Sequence, residues 1–222
     1  MSYINNLKNA IEKSFSNADN NSTKLSDEIF KLEGMTGRKT RILYNSLLEE
    51  VSKFTDVRYL EIGAWYGSST CSALYKNNIK YCTIIDMWNE FGGNKELLSS
   101  NINTFCGSGS EINFKIIDGD SFNSENIKLA KEVGLYNIYL YDGCHKPESH
   151  AKALTEYIDL MDNIFIYIVD DLNWPDHVYK PTYEAFKKLN LKILYKNEVF
   201  TNYDKERHSS YWNGVGIYVL QK

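Results

Sequence analysis

The sequence lacks several features that mark whole classes of protein. Its four cysteines contain no C-x-x-C pair, so neither a zinc site nor a disulfide framework is expected, and a reducing cytosol is the natural setting. No apolar run reaches the roughly 18–20 residues of a membrane-spanning helix, and the first residues contain no apolar signal core. The net charge is −4 and the basic residues form no stripe, which argues against a nucleic-acid partner. We therefore expect a cytoplasmic protein that binds neither membranes nor nucleic acid.

A dinucleotide fingerprint is also missing, although a related turn is present. Residues Tyr59 to Thr70 read YLEIGAWYGSST, a short apolar strand followed by a turn and by hydroxyl residues that can cap a helix. Gly63 and Gly67 bracket the turn, which places backbone N–H groups and a positive helix end at the carboxyl edge of a sheet. The fingerprint G-x-G-x-x-G needs a glycine where Trp65 stands, and Glu61 would repel a pyrophosphate. The cationic S-adenosylmethionine (SAM) fits better; the alternative is an ordinary strand-to-helix turn.

Strands and helices alternate along the rest of the chain, which predicts a doubly wound α/β sheet. With 222 residues, of which 43% are hydrophobic, the chain can bury one sizeable core. The last two strands are expected to form an antiparallel pair at one edge, and right-handed crossovers put helices on both faces. Seven strands are predicted, over residues 59–62, 81–86, 112–117, 137–142, 163–171, 192–200 and 214–220.

The first 35 residues are predicted to form a helical extension or lid on a main domain of residues 36–222. The extension opens with apolar residues at helical spacing, which are Ile4, Leu7, Ile11 and Phe15. A free flexible arm is the alternative. Further on, the segment Gly34–Thr36 either folds over a bound cofactor or is only a loop before a packing helix.

Acidic residues stand at the ends of the predicted strands, where ligands bind in open α/β sheets. Asp86 can accept both hydroxyls of a ribose, or it can cap its own loop. The turn from Asp118 through Asp120 and Ser121 can face an adenine edge, or it can be a simple turn.

Three further aspartates end two neighbouring strands and are expected to crowd together. Asp142 ends the fourth strand, and Asp170 and Asp171 end the fifth. Like charges at this spacing repel unless a cation lies among them, and oxygen ligands favour Mg²⁺. The sequence therefore predicts a magnesium site, with helix capping as the alternative role of an aspartate here.

A histidine follows the first of these aspartates. His145 has an ordinary pKa suited to accepting a proton from a substrate hydroxyl, although a histidine at a helix start is often only a capping residue. His150 is a weaker candidate. Trp88, Trp174 and Trp212 could stack on a sugar or an aromatic ring, or could fill the core.

The order of these motifs, E-x-G-x-x-x-G, strand-end Asp, D-G-D-S, Y-D-G-x-H and V-D-D, resembles the class I SAM-dependent methyltransferases. The similarity covers about residues 33–222 and is closest to the metal-dependent sugar O-methyltransferases of the macrocin and mycinamicin types. Catechol O-methyltransferase is also similar, but it has an Asn where Asp171 stands. The resemblance implies a Rossmann-like, seven-stranded, mostly parallel sheet of order 3-2-1-4-5-7-6.

The resemblance also implies roles for individual residues. Mg²⁺ would lie on Asp142, Asp170 and Asp171, with His145 as the general base. Cofactor contacts would come from a larger set: Met35 as a lid, Glu61, Gly63, Gly67, Ser69, Asp86, Asp120 and Ser121.

The expected reaction is therefore Mg²⁺-dependent methyl transfer from SAM to one hydroxyl of a vicinal diol on a sugar or glycan. A catechol-like or other small acceptor is the alternative, and a non-catalytic SAM-binding module is the alternative of another class. Related sugar-acting enzymes assemble through their N-terminal regions, so a homo-oligomer is a further expectation.

Overall fold

The sheet has the strand order expected from the sequence. The computed structural model describes residues 2–107, 112–201 and 208–222. Within them lies one seven-stranded sheet of order β3-β2-β1-β4-β5-β7-β6. β1 to β5 are parallel, and β7 pairs antiparallel with both β5 and β6. The strands are β1 Arg58–Ile62, β2 Tyr81–Asp86, β3 Asn113–Asp118, β4 Tyr136–Tyr141, β5 Met161–Asp170, β6 Lys192–Val199 and β7 Val215–Gln221.

Helices cover both faces of this sheet and enclose two apolar clusters. Side chains alternate along a strand, so Ile138 and Leu140 of β4 enter one cluster while Tyr139 and Tyr141 enter the other. The first cluster includes buried residues of α1, α3, α4 and α5, and the second includes residues of α6, α7 and α8. The helices are α1 Tyr3–Asp19, α2 Asp27–Phe30, α3 Arg38–Ser52, α4 Ser68–Leu74, α5 Lys95–Cys106, α6 Ser124–Val133, α7 Pro147–Thr155 and α8 Lys180–Lys188.

The first helix belongs to the same packed core as the sheet. Leu7 and Ile11 of α1 are almost fully buried in the first cluster, and burial of each such side chain contributes roughly 1.5–3 kcal/mol. The amide of Asn17 donates to Oγ of Ser46 on α3 at 2.8 Å. Most of the stability of a helix in a protein comes from packing of its apolar face, so the packing of α1 on α3 stabilises it. The division into residues 1–35 and 36–222 stays a prediction.

Two helices differ from the bounds that the sequence suggests. Helical periodicity favours a helix over residues 148–161, but α7 ends at Thr155 and a 3₁₀ turn, Ile158–Leu160, leads into β5. Met161 belongs to β5 and not to the helix, because it pairs with Tyr136 of β4. A helix expected from residue 177 instead begins as a π-helical turn, Pro175–Tyr179, and becomes α-helical at Lys180. Among the described residues, no helix combines the length and apolarity needed to cross a bilayer.

Candidate active site

The glycine turn after β1 brings the ends of two central strands into contact. Gly63 has a φ of +86°, and a Cβ atom there would lie 1.9 Å from the carbonyl oxygen of Asp142. Gly67 precedes α4 with a φ of +85°, and a Cβ atom there would lie 2.5 Å from Cδ1 of Leu98. Only glycine adopts this left-handed backbone without strain. The two glycines therefore allow the close approach of β1 and β4 and the start of α4.

Glu61 offers an unpaired carboxylate oxygen beside this turn. The residue is fully buried, and its Oε1 accepts a hydrogen bond from Oγ of Ser69 at 2.5 Å. Its Oε2 has no hydrogen-bond partner in the described part of the chain. Burial raises the pKa of Glu61 to about 7, against the lowering effect of the neighbouring hydroxyl groups. A buried oxygen of this kind fits the ammonium group of SAM, since a cationic donor would satisfy it.

Asp86 is tied to the backbone of the same region. Its carboxylate accepts hydrogen bonds from the backbone N–H groups of Trp65 at 2.8 Å and Trp88 at 2.9 Å. The indole N–H of Trp88 in turn donates to the carbonyl oxygen of Trp65 at 2.7 Å. Asp86 therefore fixes the loop that contains Trp65 and the loop that contains Trp88. Its carboxylate still has free lone pairs for a ligand, so it can cap its own loop and also bind a ribose.

The other residues predicted to bind the cofactor lie around this edge. Asp120 is exposed and its Oδ1 accepts from the N–H of Phe122, while the carbonyl oxygen of Ser121 accepts from the hydroxyl of Tyr157. Met35 is 42% exposed, and its neighbour Thr36 places Oγ1 at 3.0 Å from Oγ of Ser68, which begins α4. We call the ends of β1, β2 and β3 with these loops the cofactor half of the site.

The acceptor half, at the ends of β4 and β5, gathers three side chains. Donor atoms of Asp142, His145 and Asp171 all lie within 4.8 Å of one another, a grouping that could hold a metal ion. Nε2 of His145 lies 3.0 Å from Oδ2 of Asp171 and 3.7 Å from Oδ1 of Asp142. Asp170 is buried beside them, but its Oδ1 accepts a hydrogen bond from the backbone N–H of Asp171 at 3.0 Å.

The charges of this half are poorly compensated by the protein. Burial raises the pKa of Asp142 to about 6 and also raises the pKa of Asp170, where the charges of Asp142 and Asp171 add to the effect. Burial alone would lower the pKa of His145, but the two adjacent carboxylates raise it to about 10. Within the described ranges, no Lys or Arg forms an ion pair with these carboxylates. A single imidazole is thus the counter-charge that the described residues supply.

Aromatic rings hold His145 in place. The indole of Trp174 meets its ring edge-to-face at 5.3 Å, and the ring of His150 stacks on it at 5.9 Å. His150 is buried with no hydrogen-bond partner at either nitrogen in the described chain, and burial, followed by the charge of His145, lowers its pKa to about 3. Of the other tryptophans singled out in the sequence, Trp88 is half-buried at the cofactor half and Trp212 is buried.

Tyr44 of α3 lies within electrostatic reach of the site, although sequence reasoning did not single it out. Its ring is buried and its hydroxyl has no partner among the described residues. Burial, together with the charges of Asp170, Asp142 and Glu61, raises its pKa well above the usual value. It stands among the apolar residues of an amphipathic helix, where a tyrosine is normally a core residue, so its position in the sequence gives no signal.

The comparisons with known proteins support the fold. No protein-family model and no curated protein matches the sequence. An O-methyltransferase from Bacillus cereus, solved in complex with SAH, matches with a TM-score of 0.58 at 10% identity, over 97% of this chain and 100% of its own. The O-methyltransferase TomG from Streptomyces achromogenes, solved with SAM, matches with a TM-score of 0.53 at 13% identity, over 98% and 90% of the two chains.

A third structural match is to a protein that is longer than this chain. The structure SMU.776, described as a methyltransferase complexed with SAH, has a TM-score of 0.57 at 11% identity and covers 86% of this chain. The chain spans 50% of that protein's length. Strand order, glycine turn and these structural matches agree: the chain has the Rossmann-like fold of the class I methyltransferases.

Proposed function

We propose that the protein is a SAM-dependent O-methyltransferase that uses a divalent cation and methylates one hydroxyl of a vicinal diol, on a sugar or glycan. The observation that carries the proposal is the contact between the two halves of the site. Gly63 of the cofactor turn touches the backbone of Asp142, whose side chain belongs to the Asp142, His145 and Asp171 group. A methyl donor on one side and an acceptor on the other would meet across this contact.

SAM would supply an electrophilic methyl group. In the cofactor half, Oε2 of Glu61 would accept a hydrogen bond from the ammonium group, and Asp86 would accept from the ribose hydroxyls. Met35, on the loop packed against Ser68, would cover the bound molecule. Asp120 and Ser121 would border the adenine. These groups bind and orient, and orientation of the two reactants is a major source of rate in such transfers.

In the acceptor half, the carboxylates of Asp142 and Asp171 fit a divalent cation, which when bound would supply Lewis-acid chemistry that favours loss of a hydroxyl proton to solvent. The backbone N–H of Asp142 donates to the carbonyl oxygen of Ile62 at 2.9 Å, so this carboxylate is anchored to the end of β1. Trp174, 38% exposed beside His145, offers a flat apolar surface to a sugar or aromatic ring. The proposed acceptor therefore carries adjacent hydroxyls on a ring.

The sequence assigned His145 as the base that accepts the acceptor's proton. In the described geometry its Nε2 faces the two carboxylates, and its raised pKa keeps the imidazole protonated at neutral pH while no cation is bound. A protonated imidazole cannot accept a proton.

The proposal is tested by methyl transfer from labelled SAM to a panel of nucleotide sugars, glycans and catechols. We expect turnover on a sugar or glycan diol with Mg²⁺ or Mn²⁺ present and its loss with EDTA. Turnover on catechols alone would favour the small aromatic acceptor, for which the exposed Trp174 is equally suited. SAM binding with no transfer to any acceptor would favour a non-catalytic module, and EDTA-insensitive turnover would exclude a metal-assisted reaction.

A further inference from the structure

The donor atoms that converge in the acceptor half differ from the set expected from the sequence. Asp142, His145 and Asp171 form the compact group, whereas Asp170 directs Oδ1 to the backbone of Asp171. We propose that His145 is itself a ligand of the divalent cation, through Nε2, alongside Asp142 and Asp171. Asp170 is then a positioning residue that acts through Asp171. The inference rests on the proposed function for the expectation that a divalent cation binds here.

The ring of His145 is oriented toward the carboxylates by its surroundings. It lies between the indole of Trp174 and the ring of His150, and Nδ1 of His177 lies 3.3 Å from its carbonyl oxygen. Nε2 is buried, and it lies 3.0 Å from Oδ2 of Asp171 and 3.7 Å from Oδ1 of Asp142. In its neutral form, a nitrogen held this close to two carboxylates can share a cation with them.

The backbone at the end of β5 explains why Asp170 does not join the group. Asp171 has a φ of +57°, a left-handed conformation that costs roughly 1–2 kcal/mol for a residue with a Cβ atom. The hydrogen bond from its N–H to Oδ1 of Asp170 supports this conformation. The left-handed residue presents the Asp171 carboxylate to His145, while the Asp170 oxygen is engaged with the backbone.

The donor set determines which cation is favoured. Mg²⁺ prefers an octahedral shell of oxygen ligands, whereas imidazole nitrogen suits first-row transition metals. One imidazole and two carboxylates therefore favour a first-row transition metal over Mg²⁺, and Mn²⁺, the weakest binder of that series, serves as its paramagnetic probe. The competing interpretation is that a protonated His145 merely neutralises the carboxylates and takes no part in metal binding.

Pulsed electron paramagnetic resonance of Mn²⁺ bound to the full chain separates these interpretations, because it detects a coordinated imidazole nitrogen directly. We expect ¹⁴N modulation from one histidine, replaced by the ¹⁵N pattern when the chain is labelled with ¹⁵N-histidine. His145→Gln should abolish the modulation and weaken Mn²⁺ binding at least 10- to 100-fold, which is the loss typical of residues that only orient a metal ligand. The control His177→Gln should retain the modulation and change the Mn²⁺ affinity less than about threefold, because the His177 ring meets the carbonyl oxygen of His145 and the indole of Trp174 rather than the carboxylates. Mn²⁺ should also bind at least tenfold more tightly than Mg²⁺ to the wild-type chain.

Asp170→Asn sharpens the assignment. It should retain the nitrogen modulation and weaken Mn²⁺ binding less than Asp142→Asn does. Mn²⁺ bound by the wild-type chain without nitrogen modulation would overturn the inference. Equal Mn²⁺ affinity of the wild type and of Asp142→Asn would indicate an adventitious ion only and would also overturn it. The measurement needs neither SAM nor acceptor, so failure of methyl transfer leaves its result intact and is recorded separately.

Discussion

The acidic residues in the two halves of the site have different partners. In the cofactor half, Asp86 accepts hydrogen bonds from two backbone N–H groups and Glu61 accepts one from Ser69. In the acceptor half, Asp142 and Asp171 face each other with one imidazole between them. In the first half the protein's own donors bind these carboxylates, and Oε2 of Glu61 is left for a ligand. The second half depends on a charge from outside, and we propose that this charge is a divalent cation.

The largest expected effect comes from removing one carboxylate of the acceptor half. Asp142→Asn should lower the turnover number about 100-fold or more, because the cation loses a charged ligand. SAM binding should change less than threefold, because Glu61 and the glycine turn are untouched. Turnover assays and calorimetric titration with SAM measure the two quantities. Equal losses of turnover and of SAM affinity would show that the two halves of the site do not act separately.

A substitution at the boundary between the halves should lower stability. Gly63→Ala places a Cβ atom on the carbonyl oxygen of Asp142 and forces a left-handed alanine, so we expect a loss of about 2–4 kcal/mol in urea unfolding. The matched control is Gly92→Ala. Gly92 also has a positive φ, but a Cβ atom there would lie 3.7 Å from Oη of Tyr66, an ordinary contact distance. The control should cost only the backbone strain, about 1 kcal/mol. Equal losses of stability in the two variants would show that the close approach of Gly63 to Asp142 is not required.

Glu61 gives the cofactor half a pH dependence that can be measured. Its pKa of about 7 means that the carboxylate is ionised above neutral pH and protonated below it. Binding of the cationic SAM should therefore weaken as the pH falls through 7, since the proton competes with the ammonium group. Glu61→Gln should bind SAM about tenfold more weakly at pH 8 and lose this dependence. A wild-type affinity independent of pH between 6 and 8 would refute the assignment.

The smallest effect is expected at the aromatic rim of the acceptor half. Trp174→Ala should raise the KM for a ring-bearing acceptor about 3- to 10-fold through loss of stacking. The KM for SAM should stay the same. Steady-state kinetics with both substrates varied give the two values. A change confined to the KM for SAM would indicate that Trp174 contacts the cofactor and not the acceptor.

Local sequence signals predicted the strand, turn and helix that build the cofactor half. The strand, glycine turn and helix of residues 59–70 are encoded within one short stretch, and the seven strands follow from alternating elements. Those signals do not depend on distant parts of the chain. The order of the strands was expected from the resemblance to the class I methyltransferases. The structure accordingly places Glu61, Gly63, Gly67 and Asp86 at one edge of the sheet.

The acceptor half was harder to predict because its geometry depends on backbone angles and on packing between elements. Asp170 and Asp171 are adjacent, and both were predicted to bind the cation. The left-handed backbone of Asp171 gives their carboxylates different directions. The ring of His145 is held by Trp174 and His150, whose relation to it arises only after folding. The end of α7 was also predicted too late, because pairing of Met161 with Tyr136 outweighs helical periodicity.

Calorimetric titration of the metal-free chain with Mn²⁺ measures whether the acceptor half binds a divalent cation. We expect one Mn²⁺ per chain in the wild type and no measurable site in the double variant Asp142→Asn, Asp171→Asn. A wild-type chain that binds no divalent cation, or a double variant that binds it equally well, would contradict the claim that the acceptor half is built to hold one.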